Sequence, residues 1–239
     1  MKRYDWISAL KKRIRQTIKP PLHTVEIKVP YIVLGTEYGG WPFIKDSLDS
    51  NSLVYSFGVG EDLSFDLDLI ARTGATVHAF DPTPKSIRWV QTQGLPRQLN
   101  FHPLGIGARD GCVPFFPPEN ESHVSFSVAP RPDRVPAEPH MAEVLTLGSI
   151  GHRLGHRVPD CIKMDVEGFE YEVITKMIEE GVLPSVLLIE FHHGMYGVSD
   201  KQTESAVDQL RAHGYRIFYI SGAGREYGFV SNKAPQAPA

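Results

Sequence analysis

The chain has few cysteines, no long apolar run and no large excess of either charge. Its 239 residues include only Cys112 and Cys161, too few for a disulfide framework, so a reducing cytoplasmic location is expected. No apolar run approaches the roughly 20 residues that a transmembrane helix needs. The amphipathic N-terminal stretch also lacks the apolar core of a secretory signal. A formal net charge of −3 gives no global indication of nucleic-acid binding, and no nucleic-acid partner is expected.

Two common phosphate-binding motifs are absent from the glycine-containing stretch at residues 53–65. This stretch begins with a short apolar run typical of a buried strand, passes through Gly58 and Gly60, and continues with helical apolar spacing. A dinucleotide fingerprint needs a third glycine where this chain has Leu63, and the Gly-Lys-Ser/Thr ending of a P-loop is missing. A strand, a glycine turn and a helix remain, which is the first unit of a nucleotide-binding α/β sheet.

Acids occupy the turn where a phosphate-binding protein would have none. Glu61 and Asp62 stand at the predicted helix start, where two carboxylates would repel a pyrophosphate. They suit a ligand with cationic groups, such as the ammonium and sulfonium of S-adenosylmethionine. Asp81 ends the second predicted strand, at the distance from Gly58 at which an acid meets ribose hydroxyls. The alternatives are an ordinary strand–helix turn for the glycines and a turn residue or helix cap for Asp81.

A second informative stretch covers residues 160–170, in which a predicted buried strand is followed by acidic residues. Asp165 and Glu167 therefore lie at the carboxyl edge of a strand, where ligands bind in open α/β sheets. The next predicted strand, over residues 185–190, ends in Glu190 and is followed by Phe191, His192 and His193. Two neighbouring strand ends thus deliver carboxylates and imidazoles to one edge of the sheet.

The remaining pattern predicts one catalytic domain over residues 25–232, with a mostly parallel sheet and one antiparallel strand in a terminal hairpin. A third strand is predicted over residues 100–107 and an exposed proline-rich loop over residues 131–139. Residues 36–42 are predicted to form either a loop over the site or a plain turn that buries Trp41. His152 and His156 can share a helix face, but no motif assigns a metal to them.

Two segments flank this domain. Residues 1–24 form a basic amphipathic extension, and residues 233–239 are expected to fray. Within the extension, residues 1–19 combine an apolar stripe with a cationic face. This pattern fits peripheral contact with an anionic membrane, capping of the domain or contact with a partner subunit, and the oligomeric state stays open.

Three stretches in combination resemble the FkbM-type methyltransferase family. Residues 55–65 and 80–86 look like its cofactor motifs, and residues 163–170 resemble its most characteristic signature. The resemblance covers most of residues 36–195. It implies an α/β protein with the class I, Rossmann-like methyltransferase fold, whose sheet has seven strands with one antiparallel and helices on both faces. It also implies S-adenosylmethionine as the cofactor and O-methylation of a hydroxyl group on a sugar, a glycan or a small natural product.

The same resemblance implies a set of cofactor-binding residues. Gly58, Gly60 and Glu61 would line the methionine end, Asp81 would hold the ribose, and residues near Gly107 would border the adenine. The full set of cofactor-binding residues that we predict comprises Tyr38, Gly58, Gly60, Glu61, Ser64, Asp81, Pro82, Gly107 and Asp165.

Methyl transfer to a hydroxyl group needs help with the departing proton, and four residues are candidates for the catalytic role: Asp165, Glu167, His192 and His193. A histidine is favoured as the base because its unperturbed pKa lies near neutrality. A carboxylate–histidine cluster can also hold a divalent ion that acidifies the hydroxyl, and the sequence does not separate these routes. Two other functions share this fold class: an NAD-dependent oxidoreductase and a non-catalytic cofactor-binding protein.

Overall fold

The computed structural model describes residues 21–116 and 138–232. The predicted amphipathic stretch over residues 1–19, the predicted tail over residues 233–239 and nearly all of the predicted proline-rich loop lie outside these ranges. The described residues contain twelve strands: β1 (Tyr31–Leu34), β2 (Trp41–Ile44), β3 (Leu53–Phe57), β4 (Thr76–Phe80), β5 (Leu99–His102), β6 (Gly105–Ile106), β7 (Gly111–Phe115), β8 (His140–Leu145), β9 (Cys161–Met164), β10 (Val186–Glu190), β11 (Tyr215–Ile220) and β12 (Glu226–Ser231). They also contain five helices: α1 (Ser64–Thr73), α2 (Pro84–Val90), α3 (Leu147–Leu154), α4 (Glu170–Glu179) and α5 (Asp200–Ala212).

Seven of these strands form the central sheet, in the order β11-β12-β10-β9-β3-β4-β5. Strand β12 runs antiparallel to both of its neighbours, and the other pairs are parallel. The chain builds outward from β3 through β4 to β5 and then returns to the opposite side at β9. The strand order therefore reverses between β3 and β9, which is the point where open α/β sheets bind ligands. The predicted seven-stranded fold is confirmed.

Helices cover both faces of the sheet because its strands are apolar on both sides. Along β3, Tyr55 and Phe57 belong to one buried core, whereas Val54 belongs to the other. Helices α3, α4 and α5 contribute to the first core, and α1 and α2 contribute to the second. A strand buried on both faces carries a continuous apolar run, which is the pattern that predicted β3.

The predicted third strand is two strands in two sheets. Strand β5 joins the central sheet, whereas β6 pairs with β8 in a separate three-stranded sheet of order β6-β8-β7. Pro103 lies between them and has no backbone N–H to donate, so the ladder of β5 ends there. The amide of Leu104 instead donates to the carbonyl of His102 in a tight turn.

The two alternatives for residues 36–42 both occur. Trp41 begins β2 and is buried, whereas Tyr38 in the preceding turn is 80% exposed and lines the cleft described below. The terminal β11–β12 hairpin is confirmed. Helix α5 begins after Ser199, whose amide donates to Gln202 Oε1 in a capping box.

In the described ranges, every helix is too short or too polar to cross a membrane.

A cluster of three imidazoles lies on one face of the sheet, and sequence analysis did not identify it. His78 Nδ1 lies 2.8 Å from His102 Nε2, and His156 Nδ1 lies 2.7 Å from the Tyr55 hydroxyl. His156 follows the end of α3, so it does not share a helix face with the exposed His152. Burial lowers the pKa of all three clustered histidines, and that of His78 falls to about 4. The cluster is therefore neutral in the folded protein at neutral pH.

Acid is expected to destabilise the protein through this cluster. The unfolded chain takes up protons near the ordinary histidine pKa of about 6.5, whereas folded His78 does so only near 4. The contribution of neutral His78 to the free energy of unfolding is therefore fully present above about pH 6.5. It falls by about 2 kcal/mol as the pH drops toward 4.5. Urea unfolding measured between pH 7.5 and 4.5 should show a shallower pH dependence for His78→Leu than for the wild type. The exposed control His152→Leu should follow the wild type; equal slopes for all three would disprove the role of His78.

Candidate active site

A cleft of about 1200 Å³ opens at the carboxyl edge of the parallel strands. Its walls come from the segments that follow β3, β4, β9 and β10, together with the turn between β1 and β2. This is the point where the strand order reverses. Small-molecule sites usually span about 300–1,000 Å³, so the cleft has room for a cofactor and an acceptor side by side.

The glycine turn after β3 packs directly against the end of β9. Gly58 has φ +78°, and a Cβ built on it would lie 1.8 Å from the carbonyl oxygen of Asp165. The Gly58 amide donates to the carbonyl of Phe80, which joins the turn to β4 as well. Only glycine meets both the backbone angle and the close approach.

Asp81 supports this turn from the end of β4. Its buried carboxylate accepts a hydrogen bond from the Gly60 amide at 2.9 Å on one oxygen. The other oxygen accepts from the amide and the hydroxyl of Thr83, at 2.8 and 2.6 Å. A carboxylate has about four acceptor positions, so these three bonds leave about one for a ligand hydroxyl. Asp81 therefore holds the turn in place and still faces the cleft.

The two acids after Gly60 have different partners. Glu61 is exposed and lies 3.2 Å from the ammonium of Lys85. Asp62 accepts hydrogen bonds from the Ser64 amide at 2.7 Å and from the Thr36 hydroxyl at 2.9 Å. Burial alone would raise the pKa of Asp62, but these bonds outweigh it and lower the pKa. Asp62 thus ties the β1–β2 turn to the start of α1.

The other predicted cofactor residues are not all part of the cleft. Tyr38 and Pro82 line it. Ser64 lies outside the lining, where its hydroxyl accepts a hydrogen bond from the Thr36 amide. Gly107 also lies outside the lining, and its amide donates to a carbonyl of β8. Gly105 and Ile106 of β6 line the cleft instead.

Four carboxylates surround His192 at the other end of the cleft; we call Asp165, Glu167, Glu170, Glu190 and His192 the acid–histidine cluster. The His192 side chain is only 3% exposed. Its Nδ1 lies 3.1 Å from Glu170 Oε1, and the same oxygen accepts from the His192 amide at 2.8 Å. Its Nε2 lies 3.4 Å from a Glu167 oxygen, 3.7 Å from an Asp165 oxygen and 4.0 Å from a Glu190 oxygen.

This crowding alters the protonation of the cluster. Burial alone would lower the pKa of His192, but the surrounding carboxylates, Glu170 foremost, outweigh it and raise the pKa to about 9. Burial and the charge of Asp165 raise the pKa of Glu190 to about 8, and burial raises the pKa of Asp165. His192 is therefore protonated at neutral pH in the absence of a bound cation. This differs from the expectation of a histidine base with a near-neutral pKa.

The backbone around Glu167 adopts an uncommon conformation. Glu167 has φ +52°, and Gly168 follows with φ +106°. The Tyr196 hydroxyl donates to Glu167 Oε2 at 2.5 Å, and the Gly168 amide donates to Glu170 Oε2 at 2.8 Å. Left-handed backbone at a non-glycine residue costs on the order of 1–3 kcal/mol and concentrates at functional sites. The Tyr196 bond fixes the Glu167 carboxylate, and Glu167 lines the cleft.

The structure brings all four predicted catalytic residues into one cleft, with His192 at the centre of the acids and His193 also in the lining. The sequence pattern indicated no role for Glu170, the last residue of the 160–170 stretch, or for Glu190, which ends the next predicted strand. It also missed buried Lys163, whose ammonium donates to the carbonyl of Gly58 at 2.7 Å. The bond to Gly58 joins β9 to the glycine turn. The same ammonium also lies 5.5 Å from the ring centre of Trp41 in β2.

The strand order, the glycine turn at the reversal point and the acids at the carboxyl edge define a class I, Rossmann-like methyltransferase fold. The profile of the family described as "Methyltransferase FkbM domain" matches residues 56–217, which is more than half of the chain. The chain belongs to the FkbM methyltransferase family.

Two curated relatives have the description "Probable methyltransferase-like protein 24". The proteins from Homo sapiens and Rattus norvegicus are each 29% identical to this chain over 177 residues, which is 70% of this chain and 42% of the relative. The chain thus spans less than half the length of these relatives.

Two solved structures are similar at a lower level of identity. Methyltransferase FkbM from Methylobacillus flagellatus KT is 15% identical with a TM-score of 0.48, over 77% of this chain and 44% of that chain. Human methyltransferase-like protein 13 in complex with SAH is 13% identical with a TM-score of 0.44, over 79% of this chain and 75% of that chain.

Proposed function

We propose that this protein is an S-adenosylmethionine-dependent methyltransferase that O-methylates a hydroxyl group on a sugar, a glycan or a small natural product. Membership of the FkbM methyltransferase family supports the reaction type. The observation that carries the proposal is the contact between the glycine turn after β3 and the acid–histidine cluster. The Gly58 turn lies directly against Asp165, so a cofactor held by the turn would have its reactive end beside the acid–histidine cluster.

The residues present fit the proposed cofactor. Gly58 and Gly60 line the cleft with positive φ and no side chain, and Asp81 offers one remaining acceptor position for a ribose hydroxyl. Glu61 and Asp62 give the turn negative charge, which favours a cationic ligand over a pyrophosphate. When bound, S-adenosylmethionine supplies the methyl group, whose carbon bonds to the acceptor oxygen while the electron pair of the broken carbon–sulfur bond stays on sulfur.

The acid–histidine cluster is suited to bind an acceptor rich in hydroxyl groups. The carboxyl oxygens of Asp165, Glu167 and Glu190 offer several acceptor positions in one part of the cleft, which favours a ligand with several donors, such as a sugar. Alignment of the acceptor oxygen with the methyl group can contribute several kcal/mol to catalysis, on the order of 7–11 kcal/mol at most. The hydroxyl proton would pass to a carboxylate of the cluster or to water as the new carbon–oxygen bond forms.

Calorimetric titration tests the cofactor assignment directly. We expect micromolar binding of S-adenosylhomocysteine and no binding of NAD in a parallel titration. Binding of NAD alone would instead support an NAD-dependent oxidoreductase. Stoichiometric binding of S-adenosylhomocysteine without methyl transfer to any acceptor, in a screen of sugars and lipid-linked glycans with radiolabelled methyl donor, would support a non-catalytic cofactor-binding protein.

Location and partners belong to the same proposal. A cytoplasmic location is supported by the two cysteines, buried Cys161 and exposed Cys112, which are both free thiols. Peripheral membrane contact through residues 1–19 is supported by their basic amphipathic sequence. Co-sedimentation with anionic liposomes, with and without those residues, tests this contact, which is disproved if both proteins sediment equally.

A further inference from the structure

Three ligand atoms of the acid–histidine cluster converge on one point in the cleft. Asp165, Glu190 and His192 each offer one such atom, and the three atoms lie within 4.8 Å of one another. From His192 Nε2, the Asp165 oxygen is 3.7 Å away and the Glu190 oxygen is 4.0 Å away. When two ligand atoms bind the same cation at about 2.1 Å each, the distance between the two ligand atoms is about 3–4 Å. The spacing therefore matches shared coordination.

The orientation of His192 is a second and independent observation. Its Nδ1 is held by Glu170, which is fully buried, and this contact directs Nε2 into the cleft. Metal-binding histidines have this arrangement, in which a carboxylate holds one ring nitrogen and the other nitrogen faces the ion. The three oxygens around Nε2 stand at 3.4–4.0 Å. These distances are longer than the 2.7–3.2 Å of an N–H···O hydrogen bond.

Charge also favours a cation at this point. His192 forms ion pairs with all four cluster carboxylates, and the charge of Lys163 also acts on Asp165. The nearby Lys163 ammonium donates to backbone carbonyls of the glycine turn. Four carboxyl groups crowd one partly buried point in the cleft, and such a group is stabilised by a bound counter-charge.

We propose that Asp165, Glu190 and His192 bind a divalent cation of the Mg²⁺ or Mn²⁺ class at the acceptor end of the cleft. Two carboxylate oxygens and one imidazole nitrogen suit such an ion and leave coordination positions for water and for oxygens of the acceptor. This inference rests on the proposed function, because the cation would hold the acceptor hydroxyl beside the methyl donor and lower the hydroxyl pKa. A vicinal diol of a sugar would supply two of the open positions.

Titration with Mn²⁺, followed by the electron paramagnetic resonance signal of the free ion, tests the site without any methyl acceptor. We expect one Mn²⁺ bound per wild-type chain, and affinities weakened at least about tenfold in Glu190→Gln and in Asp165→Asn. Glu226→Gln is the matched control, because Glu226 contributes a carboxylate to the same cleft outside the three ligands. The control should stay within about threefold of the wild type, since Glu226 is the cross-strand neighbour of Glu190 and its replacement removes a charge but none of the three ligand atoms.

Binding of S-adenosylhomocysteine serves as the check that each variant is folded. The cation site is disproved if the wild type binds no stoichiometric Mn²⁺, or if Glu190→Gln and Glu226→Gln lose affinity equally. Methyl transfer without Mn²⁺ binding would reject the cation and leave the proposed function intact. Stoichiometric Mn²⁺ binding that depends on Glu190 and Asp165, in a protein without affinity for S-adenosylhomocysteine, would support the cation and reject the cofactor assignment.

Discussion

Replacement of Gly58 by alanine is expected to abolish S-adenosylhomocysteine binding and to lower the free energy of unfolding by at least about 3 kcal/mol. The new Cβ would lie 1.8 Å from the carbonyl oxygen of Asp165. That atom belongs to the backbone, so the clash cannot be relieved by a side-chain rotation. The alanine would also keep φ near +78°, which a residue with a Cβ rarely adopts. Relief requires β3 and β9 to separate at the cofactor turn.

The measurement combines calorimetric titration with urea unfolding. Gly94→Ala is the matched control, because a Cβ at Gly94 meets nothing within 4 Å. The control should leave affinity unchanged and alter stability by no more than about 0.5 kcal/mol. Wild-type affinity in Gly58→Ala would show that the turn does not form the cofactor site.

Replacement of Glu170 by glutamine is expected to destabilise the protein by about 2–4 kcal/mol. Glu170 is fully buried at the start of α4, and its two oxygens accept hydrogen bonds from the amides of His192 and Gly168. The same carboxylate pairs with the His192 ring. Glutamine keeps the volume but offers one acceptor oxygen in place of two, and its amide group would face a donor. His192 would also lose its closest counter-charge.

Glu172→Gln is the matched control for this variant, because Glu172 lies in the first turn of the same helix and is exposed. Urea unfolding at neutral pH should show the loss in Glu170→Gln and a change within about 0.5 kcal/mol in Glu172→Gln. Equal stability of the two variants would mean that the Glu170–His192 contact contributes little to the fold.

Local patterns predicted the elements that depend on neighbouring residues. The apolar run of β3 and the capping box of α5 are readable because each feature is decided within a few residues of chain. The seven-stranded sheet was predicted through the family resemblance, on motifs that surround Gly58 and Asp165. The split between β5 and β6 was missed, since the pairing partner of β6 is β8, far along the chain.

Contacts between distant residues account for what the sequence did not reveal. Tyr55 meets His156 across 101 residues, and His78 meets His102 across 24. Nothing in the spacing of these residues indicates a shared cluster, because their proximity follows from strand order and from the path of the chain after α3. The role of Glu170 was hidden for the same reason: its helical position suggested an ordinary first-turn acid, whereas its partner His192 lies after another strand.

By itself, the sequence determined which chemical groups reach the carboxyl edge of the sheet, because buried parallel strands that are followed by glycines or acids place those residues at that edge. Only the tertiary structure decided which hydrogen-bond partners these groups have. Asp81 accepts hydrogen bonds from the Gly60 amide and the Thr83 hydroxyl. Glu170 contacts Nδ1 of His192, and Asp165 and Glu190 lie near its Nε2. Hydrogen-bond partners and pKa values depend on distances of a few ångströms between separate strand ends, and those distances are set by packing of the whole domain.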